Sequence, residues 1–217
     1  MGNATERDIH KGTAEVKYHL PVRILHAIIA FGIAIQLMLS LIMQPPEPGH
    51  VRSGLESFSF EVHEILGMVL LGALLLHWLL FLLGYAYRGI GHFFPWFSRA
   101  RMRQVVSDLK EIGSLRFGDP ARQDSLAGAV QGVGLTIASL LALTGGILYF
   151  GIAEDGNMSA AVHVVKEVHE TLGPAMWAYL ALHAGAVMAH TALGHGSVLS
   201  VFRLYHQRAS DEVGKGQ

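Results

Sequence analysis

Cysteine is absent from all 217 residues, which removes disulfides, thiolate-held iron–sulfur clusters and covalent haem attachment through Cys-x-x-Cys-His. Charge is scarce too: 15% of residues are charged and 51% hydrophobic, where a soluble domain carries roughly a quarter charged residues. The net charge of −1 is silent about partners because the charges are segregated by loop, and no nucleic-acid partner is expected. No small-residue cleavage site follows the first apolar run, so that run is read as a spanning helix and not as a removable signal. Carboxylates are missing from the long apolar runs except at two entrances, Glu64 and Glu170.

What is there is apolar and long. Four stretches, residues 22–43, 62–85, 127–150 and 168–193, are each long enough to cross a bilayer core. Pro21 suits the first helical position, where its missing N–H would be unpaired anyway. Pro45 and Pro46 stop that helix, and a loop over residues 44–59 with Pro48 and Gly49 leads to the second span. Between spans two and three, residues 98–115 are polar but periodic. Met102, Val105, Val106, Leu109 and Ile112 recur at three- and four-residue spacing, which predicts a short amphipathic helix. With Arg99, Arg101 and Arg103 at its start, it either lies on an anionic membrane surface or packs on its own bundle.

Lysine and arginine set the orientation. Four lie in the N-terminal segment (Arg7, Lys11, Lys17, Arg23), seven in the middle connection (Arg88, Arg99, Arg101, Arg103, Lys110, Arg116, Arg122) and three in the tail (Arg203, Arg208, Lys215). Only Arg52 and Lys166 occupy the other two loops. The positive-inside bias predicts a single-domain, all-α integral membrane protein. Its four-transmembrane-helix bundle would have both termini cytoplasmic.

Within this frame one heptapeptide occurs twice, as Glu-Val-His-Glu-Ile-Leu-Gly at 61–67 and Glu-Val-His-Glu-Thr-Leu-Gly at 167–173. Each is followed 14 positions later by a second histidine, giving His63 with His77 and His169 with His183. Fourteen residues of helix separate two side chains by about 21 Å and return them to within about 40° of one face. Spans two and four run in parallel, so His63 and His169 share an outer layer. His77 and His183 share a cytoplasmic-side layer, which His26 at the start of span one also enters.

Imidazoles at two depths of apolar helices are costly unless something binds them. A flat porphyrin needs one axial imidazole on each face, and small residues where the ring nears backbone. Gly67 and Gly173 follow their histidines by one turn, and Gly72 and Gly185 add room. The arrangement points to haem between helices, with His63 facing His169 and the inner pair drawn from His26, His77 and His183. Bis-imidazole ligation leaves no open iron position, so the iron would carry electrons and not bind oxygen. Two rival readings are lone histidines bonding between helices and a histidine-lined metal or proton transporter, which would normally carry carboxylates within the membrane. His163 and His190 are candidate near-site groups; His10, His19, His50, His92, His195 and His206 fall in loops or tails.

Three pieces carry a family likeness: Leu-Pro-Val-Arg-Ile-Leu-His at 20–26, Val-His-Glu-Ile-Leu-Gly, and the run from Val-His-Glu-Thr-Leu-Gly through Leu-His-Ala-Gly-Ala-Val-Met-Ala-His, ending at His190. From Leu20 to about His195 the chain resembles the bacterial cytochrome b561 family. That family includes four-helix dihaem quinone oxidoreductases and cytochrome b subunits of nickel–iron hydrogenases. The resemblance implies two haem b groups with axial ligands His26, His63, His169 and His183, pairing His63 with His169 and His26 with His183. There are departures. Ala27 stands where relatives usually have Trp, His77 stands where they often have arginine, and the long middle loop resembles the subunit-type branch. Arg23, Arg52 and His77 are candidate contacts for haem propionates. The implied activity is transmembrane electron transfer between an outer-face or membrane redox partner and the quinone pool, either as a quinone oxidoreductase or as its membrane subunit. The alternative is an accessory subunit that relays electrons for a partner enzyme without a quinone site of its own.

Overall fold

A computed structural model describes residues 20–84, 90–113 and 124–192. Both termini lie outside these residues, as do positions 85, 115 and 193, where the apolar and amphipathic stretches were expected to end, the side chain of His190, and His10, His19, His195 and His206. The described residues form four long helices and a short helical excursion, with no strand among them. The long helices are α1 (Leu20–Leu39), α2 (Gly54–Leu82), α5 (Asp124–Gly151) and α6 (Ala160–Ala192); α3 (Ile90–Phe93), a 3-10 turn (Pro95–Phe97) and α4 (Arg99–Gly113) lie between α2 and α5. All four long helices are long and apolar enough to cross a membrane. With the family match reported below, they make the protein a multi-pass four-helix membrane bundle.

Helix boundaries do not coincide with the apolar runs. α2 begins at Gly54, well before residue 62, because Ser53 closes a capping box. Its hydroxyl accepts from the Glu56 N–H at 3.3 Å and its own N–H donates to Glu56 Oε2 at 2.7 Å. α6 likewise begins at Ala160, and its first turns carry ion pairs from His163 to Glu167 (3.5 Å) and from Lys166 to Glu170 (2.6 Å). At 29 and 33 residues these helices exceed the roughly 20 residues a bilayer core needs.

α1 packs against α2, α2 against α5, and α5 against α6 along much of their lengths. α6 makes no comparable backbone approach to α1 or α2 among the described residues. Side chains close that side instead: Leu37, Leu74, Ala138 and Met176, one from each long helix, form the buried core. Many other large apolar side chains point outward, including Phe31, Leu41, Leu82, Phe150 and Leu182, as expected where the surrounding solvent is hydrocarbon and every backbone polar group is met within its helix.

The ends are tied differently. At one end the α5–α6 turn meets the α1–α2 loop: Gly156 sits at φ +83°, and a Cβ there would run into the Pro46 carbonyl and Glu47. At the other, the α3 segment folds back onto α5, where Gly128 and Gly132 admit the His92 and Phe93 carbonyls so closely that any Cβ would clash with them. Trp78 donates to Ser139 Oγ at 3.0 Å, tying α2 to α5, and stacks on Phe94 at 6.3 Å. α4 presents Met102, Val105 and the buried Asp108 on one side and leaves Val106 and Leu109 exposed on another. Gln104 donates to Asp108 Oδ1 at 2.9 Å.

Candidate haem-binding site

α2 and α6 each carry one copy of the repeated heptapeptide near the end that holds the α1–α2 loop, and there His63 and His169 face one another. Their ring centres are 6.4 Å apart and their planes are nearly perpendicular, at 83°. Since a metal–imidazole bond is about 2 Å long, two rings holding one metal from opposite sides place their centres roughly 6 Å apart. Electrostatics alone would not assemble this pair. Two neutral rings gain little from each other, and burial of both without a shared partner is unfavourable.

The nitrogens are disposed for that role. His169 Nδ1 lies 2.8 Å from Thr144 Oγ1 on α5, so its outer ring nitrogen is engaged while Nε2 is left for an axial bond. A metal-ligating histidine commonly uses its second nitrogen in this way. His63 Nδ1 is buried with no hydrogen-bond partner, but its backbone is fixed: Gln36 Nε2 on α1 donates to the His63 carbonyl at 2.8 Å.

Toward the α4 end, the second layer holds three histidines. His26 on α1 is half-buried and within electrostatic range of both His183 and His77. His183 stacks on Tyr179, one turn earlier on α6, at 5.5 Å and 12° between planes. Gly134 on α5 makes room for that tyrosine, for a Cβ at this position would overlap its ring and hydroxyl. His77 Nδ1 is buried and has no hydrogen-bond partner. Arg23, one turn before His26, is buried as well.

The glycines divide. Gly67 does not front open space, because Gln36 Nε2 lies 3.1 Å from its Cβ position. Gly173 and Gly185, each close after its histidine on α6, are half-buried yet have no atom within 4 Å of theirs. α6 therefore stands off from α1 and α2, carries two glycines with open space at their Cβ positions, and is bridged to α2 and α5 by His169. A flat ligand held edge-in between α6 and the α1–α2 pair fits those residues. No group of three or more His, Cys, Asp or Glu able to hold a metal ion occurs among the described residues. Convergence is seen instead in one facing pair, His63 with His169.

Other expected residues fall elsewhere. Arg52 donates to the Gln44 carbonyl at 3.2 Å and lies 5.5 Å from the Phe60 ring centre, clasping its own loop. His163 is exposed in an ion pair with Glu167 at the start of α6, away from the layers. Reasoning from histidines passed over α5, which has none. Yet α5 supplies Thr144 and, beside it, Gly145, whose Cβ position is 3.2 Å from His169 Cε1. The signal available was Thr-Gly-Gly at 144–146, a polar and small step in an apolar run.

A family model described as prokaryotic cytochrome b561 matches residues 17–203. No curated protein and no solved structure shows significant similarity to the chain.

Proposed function

The chain belongs to the prokaryotic cytochrome b561 family, and from that premise we propose that it holds two haem b groups stacked across the bilayer and exchanges electrons with the quinone pool. As a member it is a membrane b-type cytochrome that binds haem b and transfers electrons. The haem part of this reading is carried by one observation, the His63–His169 pair at 6.4 Å, and is supported by the second histidine layer; exchange with quinone rests on what the family resemblance implies. When bound, haem b supplies a one-electron iron couple at a site closed to oxygen by ligands on both faces.

The chain's own residues do the rest. His63 and His169 are the outer ligands, with Gln36 and Thr144 holding their positions from α1 and α5. His26 with His183 are the inner ligands, and Tyr179 holds the plane of the second. His77 in the inner layer would donate to a propionate, as would Arg23 beside His26, and at the outer end Arg52 would do so by exchanging the Gln44 carbonyl for the propionate. The apolar core around Leu37, Leu74, Ala138 and Met176 keeps water and ions from crossing with the electron. The lysine and arginine distribution supports an orientation with both termini and α4 on the cytoplasmic side, and in this reading electrons pass between an outer-face or membrane redox partner and a quinone dissolved in the bilayer.

The test has two stages. A pyridine haemochrome assay on the purified protein should give about two haems per chain, and anaerobic addition of a quinol should reduce them. Haem that dithionite reduces but no quinol reduces would overturn the quinone assignment while leaving the cytochrome intact.

A further inference from the structure

The two outer ligands are held unequally. His63 Nδ1 is buried without a partner, whereas His169 Nδ1 meets Thr144 Oγ1 at 2.8 Å. Thr144 has one hydroxyl proton and two carbonyls of its own helix in reach, Leu140 O at 2.7 Å and Leu141 O at 3.1 Å. With that proton given to a carbonyl, the hydroxyl oxygen turns a lone pair to His169, and Nδ1 must bring the hydrogen. Thr144 in this arrangement calls for N–H at Nδ1, and Nε2 is left as the lone-pair nitrogen.

We propose that Thr144 is a positioning residue for the outer haem: it fixes the tautomer and plane of His169 and, by accepting its N–H, lowers the potential of that haem relative to a site without the contact. The inference rests on His169 being an axial ligand. An N–H donated to oxygen makes the imidazole a more basic ligand, and a more basic ligand favours the ferric over the ferrous state. His63 Nδ1 makes no comparable contact with a side-chain hydroxyl. Control of the outer haem is thus placed on α5, a helix that contributes no ligand.

Thr144→Val and Thr144→Ser in the full haem-loaded protein test it. Valine keeps the shape of threonine and loses the acceptor; serine keeps the acceptor. The valine variant should retain the wild-type haem count and titrate with one midpoint raised, that of the haem lost in His169→Ala, and the other unmoved. The iron–imidazole stretch of that haem should weaken in resonance Raman. Serine should restore both readouts, and Thr144→Ala serves in place of valine should the latter not accumulate. A valine variant titrating as wild type, a serine variant shifted as far as valine, or an equal shift of both haems would each overturn the proposal. Retention of both haems by His169→Ala would instead overturn the ligand assignment beneath it.

Discussion

Gly145 is where a single methyl group should reach the outer haem without disturbing the fold. A Cβ at this position would lie 3.2 Å from His169 Cε1 and 3.8 Å from Nδ1, while carbon atoms pack best at about 3.5–4.0 Å. The ring must therefore retreat by a few tenths of an ångström. Against that, alanine in a helix interior is favoured over glycine by roughly 0.5–1 kcal/mol. Crowding a packed site typically costs about 1–3 kcal/mol, and a shift this small belongs at the low end. Gly145→Ala should thus change bundle stability by no more than about 1 kcal/mol in either direction. The same displacement acts on the 2.8 Å contact between His169 and Thr144 and on the 83° angle between the ligand planes. Ferric electron paramagnetic resonance reads that angle directly, because perpendicular axial imidazoles give a strongly anisotropic low-spin signal. In Gly145→Ala one of two signals should move, with a thermal midpoint shifted by no more than about 4 °C. Gly145→Leu should push the ring out of reach and remove one haem. Gly146→Ala is the control, since its Cβ would meet only the end of the Leu71 side chain, at 3.0 Å. Two unaltered haem signals in Gly145→Leu would refute the placement of His169 as a ligand beside α5.

Three further outcomes are expected. His63→Ala and His169→Ala should each lower haem content from about two to about one per chain, removing the same spectral component, and loss of different components would break the outer pair. His26→Ala should leave one haem and His77→Ala two, the latter with a shifted potential from the lost propionate donor; the reverse counts would make His77 the inner ligand. A protease site after Gly49, an exposed residue at φ +78° with open space around its Cβ position, should be cut from outside intact cells. One placed at Gly113 should be spared, and cleavage there would invert both the orientation and the layer assignment.

The sequence by itself determined the class of molecule. Scarce charge and four long apolar runs leave a helical membrane bundle as the arrangement that satisfies the backbone, and the repeated Val-His-Glu with its histidine 14 residues on puts imidazoles at two depths. Those are properties of periodicity and composition, which survive without knowing which helix touches which. The tertiary structure decided what periodicity cannot carry. Helix ends were displaced from the apolar edges because Ser53 caps α2, and polar turns begin α6, outside the span. Gly67 turned out to accommodate Gln36, while Gly173 and Gly185 face open space, a difference set by the neighbouring helix and not by local spacing. Thr144 and Gly145 come against His169 only because α5 packs along α6. A threonine and a glycine in an apolar run read as packing until the fold sets them against an imidazole, whereas Tyr179, four residues before His183 on the same helix, was within reach of helical spacing alone. Chain order records depth in a membrane, but it does not record facing, and facing is what makes a pair of histidines a ligand pair.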